Sequence, residues 1–127
     1  MARTPQDVTD AELAVLQVLW DRGQSNIRQL TEIVYPDDVD TQYSTVKRLL
    51  ARMEAKAQVA RDRSESVHTF EAILSRDELV GRRLEGVASS LCDGSISPLL
   101  THLANAKGLS KKQQQTLRRL IDELNGP

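Results

Sequence analysis

One change of periodicity, near residue 58, constrains the fold of this chain more than any other feature. Before it, apolar residues recur at the three- and four-residue spacing of amphipathic helices in three successive segments. After it, residues 58–63 and 67–73 are short and carry the β-branched and aromatic residues typical of strands, with Ser64-Glu65-Ser66 as a turn between them. Three helices followed by a two-stranded hairpin predict a winged helix-turn-helix in the first half of the chain.

Capping residues divide this first half into its helices. Thr9, with Glu12 three residues later, forms a capping box that opens the first helix, and Gly23 ends it. Ser25 is expected to cap a second, shorter helix, which Pro36 ends. An acidic loop, whose carboxylates can cap the next N-terminus, then leads into the third helix.

The third helical segment, residues 40–56, has two dissimilar faces. One is an apolar stripe that should be buried, and the other supplies hydroxyls, an amide, an aromatic edge and cations. Such groups reach base edges and phosphates in a DNA groove, although taken alone this helix could equally have an ordinary solvated face. Tyr43 can contact DNA or cover the end of the core. The candidate DNA-binding residues here are Gln42, Tyr43, Ser44, Thr45, Lys47, Arg48 and Arg52.

Five further residues are candidates for contacts with the DNA backbone. Asn26 and Arg28, at the start of the second helix, can anchor phosphates. Arg61, Arg63 and His68, on the hairpin, can bind the backbone beside the flanking minor groove, and packing within the protein is the alternative for His68. The net formal charge of the whole chain is only −1, so any attraction to DNA must come from such local groups of cations.

The sequence predicts three more helices in the second half, each with an apolar stripe. Ser75 and Ser110 each begin a capping box, and Ser97 with Pro98 is expected to form an N-cap and first turn. These helices either extend the first core or pair with a second copy of the chain, and we favour the second arrangement. The candidate dimer contacts are Leu79, Leu84, Val87, Leu91, Leu99, Leu100, Leu103, Leu117, Leu120, Ile121 and Leu124.

The expected fold is therefore mainly α with a small β hairpin. Aromatic residues make up only 3% of the chain, so its core must consist of Leu, Val, Ile and Ala, which favours helices. We expect residues 1–75 to form a winged-helix DNA-binding domain and residues 76–127 a three-helix dimerisation domain.

Several classes of protein are disfavoured. A single cysteine, Cys92, excludes an internal disulfide, and we expect it to be a small buried hydrophobe rather than a redox switch. No apolar run approaches the length of a membrane span and no signal segment is visible, which favours a soluble cytoplasmic protein. Neither a nucleophile–base pair, nor a phosphate-binding loop, nor a ligand cluster is apparent, so we expect no enzyme, cofactor or metal.

The chain resembles the penicillinase and methicillin-resistance repressor family, the BlaI/MecI type. Four stretches carry the resemblance: TDAELAVLQVLW (9–20), STVKRLLARMEAK (44–56), SVHTFEAILSRDEL (66–79) and LCDGSISPLL (91–100). It implies a homodimer that binds a palindromic double-stranded DNA operator through winged helices and is joined by C-terminal helices. It also implies that Thr45, Val46 and Lys47 lie at the DNA, with Arg48 at a position that is often Thr in the family.

The chain also departs from the family pattern at two places. A Gly usually follows the third helix, whereas Ala57 stands here, so this helix is expected to run on or to end differently. The family implies derepression by a membrane-bound sensor metalloprotease that triggers cleavage at an Asn–Phe bond in the helix after Ser97-Pro98. The matching pair here is His102–Leu103, so both the cleavage specificity and a β-lactam signal are open.

Two other functions remain open from the sequence. One is a metal-, ligand- or redox-sensing winged-helix regulator, although copper-responsive relatives carry a C-terminal cysteine cluster that this chain lacks. The other is a helical adaptor whose winged helix binds protein, which the near-neutral charge permits.

Overall fold

The computed structural model describes residues 7–106 and 108–125, and for residues 124 and 125 it describes the backbone alone. The chain divides between Arg76 and Asp77 into two units. The elements in chain order are α1 (Asp10–Arg22), β1 (Ser25–Asn26), α2 (Ile27–Val34), α3 (Val39–Ala55), β2 (Val59–Asp62), β3 (Thr69–Ala72), α4 (Arg76–Leu91), α5 (Ser97–Ala104) and α6 (Lys111–Asn125). The predicted fold class, mainly α with a small β element, is confirmed. Within the described ranges, no helix combines the length and apolar character that a membrane crossing requires.

α1 begins and ends where the sequence predicts. The Thr9 hydroxyl accepts a hydrogen bond from the Glu12 N–H at 3.2 Å, and Glu12 Oε1 accepts one from the Thr9 N–H at 2.9 Å. This reciprocal capping box satisfies two N–H groups that would otherwise lack partners. At the other end Gly23 adopts φ +82° and donates its N–H to the Leu19 carbonyl.

The prediction that Ser25 caps α2 was wrong by one residue. Asn26 is the N-cap, and it exchanges hydrogen bonds of 2.8 Å with Gln29 in a capping box. Ser25 lies in β1 instead, where its backbone pairs opposite Phe70 and its hydroxyl donates to the Gly23 carbonyl. Because the chain stays extended through the strand pairing, the helix can begin only after Asn26.

The sheet has three strands rather than the two predicted. The strands are antiparallel in the order β1-β3-β2, and Phe70 in β3 lies opposite Ser25 on one side and Arg61 on the other. β1 has only two residues, too few for an alternating pattern to be visible in the sequence. Its pairing gives the hairpin a second ladder, which matters because an isolated hairpin is marginally stable.

The core of the first unit is formed by the apolar stripes of its helices and the inward residues of the sheet. Phe70 and the predicted α3 stripe are fully or almost fully buried, so the polar face of α3 points outward. The buried apolar side chains of this unit are Val15, Leu16, Val18, Leu19, Leu30, Val46, Leu49, Leu50, Met53, Val59, Phe70 and Leu74.

α3 ends in a Schellman motif although the left-handed position is occupied by Ala57, at φ +59°. The Ala57 N–H donates to the Glu54 carbonyl at 3.1 Å and the Gln58 N–H donates to the Met53 carbonyl at 2.9 Å. The expectation that alanine would make this helix run on or end differently was therefore wrong. The two hydrogen bonds and the burial of Gln58 outweigh the steric cost of the alanine Cβ.

The second unit consists of most of α4 together with α5 and α6, and α5 packs on α6. The predicted capping box of α6 is present, because Ser110 and Gln113 exchange hydrogen bonds of 2.9 and 3.1 Å. The prediction of Ser97 as the N-cap of α5 was wrong. Ile96 is the N-cap, since its carbonyl already accepts the first helical hydrogen bond from the Leu100 N–H.

Candidate nucleic-acid interface

A groove of about 720 Å³ lies between the N-terminus of α2, the outer face of α3 and the hairpin. Three separate stretches of the chain contribute to it, and six of the predicted DNA-binding residues line it. The lining residues are Asn26, Ile27, Arg28, Tyr43, Lys47, Arg61, Ser66, Val67 and His68. The fold thus brings together side chains that lie more than 40 positions apart in the sequence.

The side chains that line this groove carry a net positive charge. Arg28, Lys47 and Arg61 are cations, His68 can become one, and none of the nine lining residues is acidic. The N-terminus of α2 adds the positive end of a helix dipole beside Arg28. Cations around a helix N-terminus in a concave surface favour the binding of phosphate groups.

The first half of α3 places polar side chains on its outer face, next to the groove. Lys47 and Arg48 are exposed and form no ion pair with any residue that the structure describes. Ser44 is exposed and Thr45 is half-buried. Gln42 already donates to the Asp38 carboxylate at 3.2 Å, so Asp38 binds this side chain rather than capping the backbone of α3 as the sequence suggested.

Arg52, near the end of α3, has a different environment. It donates to the completely buried carboxylate of Glu12 at 3.1 Å, and Lys56 Nζ lies 2.9 Å from the other oxygen of the same group. Burial by itself raises the pKa of a carboxyl group. Here the hydrogen bonds from the Thr9 N–H, Lys56 and Arg52, with a smaller one from Gln58, outweigh burial and lower the pKa of Glu12 to about 2.

Sequence reasoning missed this buried cluster, because it assigned Glu12 only a capping role and placed Arg52 among the DNA-binding candidates. The signal was present in the spacing of α1. Val15, Leu16 and Leu19 lie three, four and seven residues after Glu12, and all four residues are buried. A glutamate inside an apolar stripe requires a cationic partner, since an unpaired buried charge is very costly.

Both predicted arginines of the hairpin are paired with Glu54 of α3. Arg61 Nη2 lies 3.3 Å from one carboxylate oxygen and Arg63 Nη2 lies 3.4 Å from the other. The Arg61 guanidinium also lies over the Phe70 ring, 4.8 Å from its centroid, and Arg61 is mostly buried whereas Arg63 is mostly exposed. Neither the pairing nor its partner was foreseen from the sequence.

The hairpin is tied to the rest of the sheet by polar contacts. Asp62 accepts from the Ser64 N–H at 2.8 Å, and the hydroxyl and N–H of Ser64 hold the pKa of Asp62 below its usual range. Gln24 donates to Asp62 at 3.1 Å and to the Thr69 hydroxyl at 2.7 Å. His68 is half-buried beside the groove.

The second unit has an apolar stripe without a covering partner among the described residues. Val80, Leu84, Val87 and Leu91 recur along one side of α4, and all four are exposed. Of the other predicted dimer contacts, Leu103 and Leu120 are exposed, and Leu99, Leu100, Leu117 and Ile121 are half-buried. Leu79 is already buried in the single chain. The side chain of Leu124 lies outside the described part of the structure.

The remaining predicted sites are exposed to different degrees. His102 and Leu103 both lie in the last turn of α5 with exposed side chains. Cys92, immediately after α4, is half-buried and not bonded to another cysteine.

Three helices packed against a three-stranded sheet, with a basic groove between the third helix and the hairpin, define the winged-helix class of proteins. The family model described as penicillinase repressor matches residues 8–123, and the chain therefore belongs to the penicillinase repressor family. Because this is a family of transcriptional repressors, the expectation that the chain is not an enzyme is confirmed.

Individual relatives agree with this assignment. Proteins named transcriptional regulator BlaI from two strains of Mycobacterium tuberculosis are 32% identical to the chain over 117 residues, which cover 91% of this chain and 83% of theirs. An uncharacterised 16.5 kDa protein of Latilactobacillus sakei is 25% identical over 121 residues, covering 95% of this chain and 82% of that protein.

Proposed function

We propose that this chain is a sequence-specific repressor that binds a palindromic operator as a homodimer in the cytoplasm. The observation that carries the proposal is the basic groove, because it unites the N-terminus of α2, the outer face of α3 and the hairpin without an acidic lining residue. If α3 had only an ordinary solvated face, there would be no reason for basic side chains of α2, α3 and the hairpin to lie together. Membership of the penicillinase repressor family supports the same conclusion.

In this proposal α3 lies in the major groove and uses the side chains of its first half. Lys47 and Arg48 are unpaired among the described residues and exposed, so they are free to contact phosphates and base edges. Arg28, whose ion pair with Glu32 is exposed and therefore weak, anchors a phosphate together with Asn26 at the start of α2. Between these cations, the sugar–phosphate backbone and the edges of the bases are contacted by Tyr43, Ser44 and Thr45. Arg52 is assigned to the Glu12 cluster rather than to DNA.

The homodimer is proposed to form through the exposed stripe of α4 and the exposed leucines of α5 and α6. Contiguous exposed apolar side chains on a folded unit are typical of an interface. One winged helix alone would have only half of the contacts to a palindrome, so linking two of them raises the affinity by local concentration.

Derepression is proposed to occur by proteolysis in α5, at His102–Leu103, triggered by a membrane-bound sensor metalloprotease. The exposure of both side chains supports access, although the helix must open for the backbone to enter a protease. Cutting there removes α6 from the chain and releases the dimer. The test is the mass of the repressor in induced cells: a protein that leaves its promoter at full length would contradict cleavage.

The experiment that tests DNA binding is selection of bound fragments from the source genome, followed by titration of the recovered site. Lys47→Gln should weaken binding about tenfold, because it removes an unpaired cation from the groove. Lys112→Gln, the same change on exposed α6, is the matched control and should have little effect. Recovery of no fragment at low salt, or equal effects of the two variants, would contradict the proposal.

A further inference from the structure

We infer that Glu54 is a specificity-determining residue that restrains the hairpin arginines and thereby weakens binding to non-operator DNA. The inference rests on the proposed DNA-binding function. Glu54 itself need not touch DNA. It acts through Arg61 and Arg63, whose cationic groups it partly neutralises and positions before DNA arrives.

The geometry of the pair of contacts supports such a restraint. Each oxygen of the Glu54 carboxylate faces a different arginine, at 3.3 and 3.4 Å, so one anion on α3 holds two cations at the hairpin. The Glu54 side chain is only 30% exposed and that of Arg61 only 18%. Ion pairs that are partly withdrawn from solvent are screened less by salt than pairs on an open surface.

The two arginines are held unequally. Arg61 is fixed further by the Phe70 ring, and its Nε is buried without a hydrogen-bond partner among the described atoms. Arg63 has a side chain that is 60% exposed, whereas that of Arg61 is only 18% exposed. A DNA phosphate can therefore replace Glu54 as the partner of Arg63, whereas Arg61 stays in place and lines the groove.

This arrangement affects non-specific binding more than specific binding. Binding to arbitrary DNA is almost entirely a matter of cations neutralising phosphates, and the log–log salt slope is about −0.9 for each phosphate neutralised. With Glu54 present, Arg61 and Arg63 share one carboxylate, so less of their positive charge is available to the DNA backbone. Lys47 and Arg48, which the proposed function assigns to operator contacts, carry no such internal partner within the part of the chain that is described.

The test is Glu54→Gln in the full chain, with Glu71→Gln as the matched control. Glu71 is exposed on β3 of the same hairpin and forms no ion pair with a described residue, so its loss changes the net charge equally without releasing an arginine. Near 0.1 M salt, Glu54→Gln should bind non-operator DNA roughly 5- to 10-fold tighter, and its salt slope should steepen by about one. Operator affinity should rise less, so the specificity ratio should fall.

Two further variants separate this role from a merely structural one. Adding Arg63→Gln to Glu54→Gln should return the salt slope to that of the wild type. Arg63→Gln alone should change non-operator affinity less than about 2-fold, because Arg63 is already paired with Glu54. This single variant keeps the test available if Glu54→Gln does not fold.

The contradicting results are distinct. The inference is overturned if folded Glu54→Gln matches Glu71→Gln, if it binds DNA more weakly at an unchanged slope, or if Arg63→Gln alone weakens binding as much as Lys47→Gln. If the wild type binds no DNA at any salt concentration, the proposed function fails first and the inference fails with it.

Discussion

Lys56 Nζ lies 2.9 Å from the buried Oε1 of Glu12, so the end of α3 is joined to the start of α1. Arg52 holds the second oxygen of the same carboxylate. Arg52, a DNA-binding candidate from the sequence, and Lys56 are therefore part of the fold. They fix the helix whose other end carries the proposed base contacts.

The first prediction concerns this cluster. Glu12→Gln should destabilise the fold by about 3 kcal/mol at neutral pH, because it leaves Arg52 and Lys56 without their carboxylate. Urea unfolding followed by circular dichroism measures the loss. Asp10→Asn, in the same turn but exposed, is the control and should cost less than about 1 kcal/mol.

The pH dependence of stability should follow from the same group. The pKa of Glu12 is lowered from 4.5 to about 2 on folding, so the unfolded chain binds the proton more tightly. The stabilisation is therefore complete above pH 4.5 and is lost as the pH falls towards 2, with a total of about 3 kcal/mol. Glu12→Gln should not show this loss of stability as the pH falls from 4.5 towards 2. An identical acid profile in both proteins would contradict the assignment.

The second prediction concerns the end of α3. Ala57→Gly should stabilise the first unit by about 1 kcal/mol, since glycine adopts φ +59° without a Cβ clash. Ala55→Gly is the matched control two residues earlier, where the backbone is helical and the same change should cost about 1 kcal/mol. Thermal unfolding distinguishes the two signs, and destabilisation by both variants would contradict the account.

The third prediction concerns the apolar stripe of α4. Leu84→Asp should shift the protein to monomers in sedimentation experiments while leaving it folded, because the Leu84 side chain is already exposed in the single chain. Ser89→Asp, on another side of the same helix, should leave the association unchanged. Leu79→Ala should instead cost about 2–5 kcal/mol of stability, since Leu79 is buried. If Leu84→Asp formed dimers as stable as those of the wild type, the dimer interface would have to lie elsewhere.

The fourth prediction separates base contacts from phosphate contacts. Arg48→Ala should cost about 1–3 kcal/mol in operator binding and relax the base preference at one position. Arg28→Ala should weaken all sequences alike, because a phosphate anchor carries no sequence information. Competition binding against single-base variants of the operator measures both. An unchanged preference in Arg48→Ala would move that residue to the backbone or to solvent.

How far the sequence predicted the fold depended on the range of the interactions. Thr9, Gly23 and Ser110 act on their own helix, and their roles were predicted correctly from neighbouring residues. Ser25 and Ser97 were wrongly predicted to be N-caps because strand pairing and helix geometry, rather than side-chain type, decided where the next helix begins.

The candidate site shows the same difference between short-range and long-range interactions. Its DNA-binding candidates could be named from composition and spacing, and the fold brings six of them, basic and polar, into one groove. Their partners could not be named, because Glu12 and Arg52 are 40 positions apart and meet only through packing. The pairing of Arg63 with Glu54 likewise depends on how the hairpin folds back beside α3.

Sedimentation of the protein with a recovered operator tests whether it binds DNA as a homodimer. We expect two chains to bind one palindrome, binding to weaken sharply when the palindrome is halved, and affinity to fall steeply with salt. A single chain bound with equal affinity to the whole and the half site, or binding that does not respond to salt, would contradict the proposal.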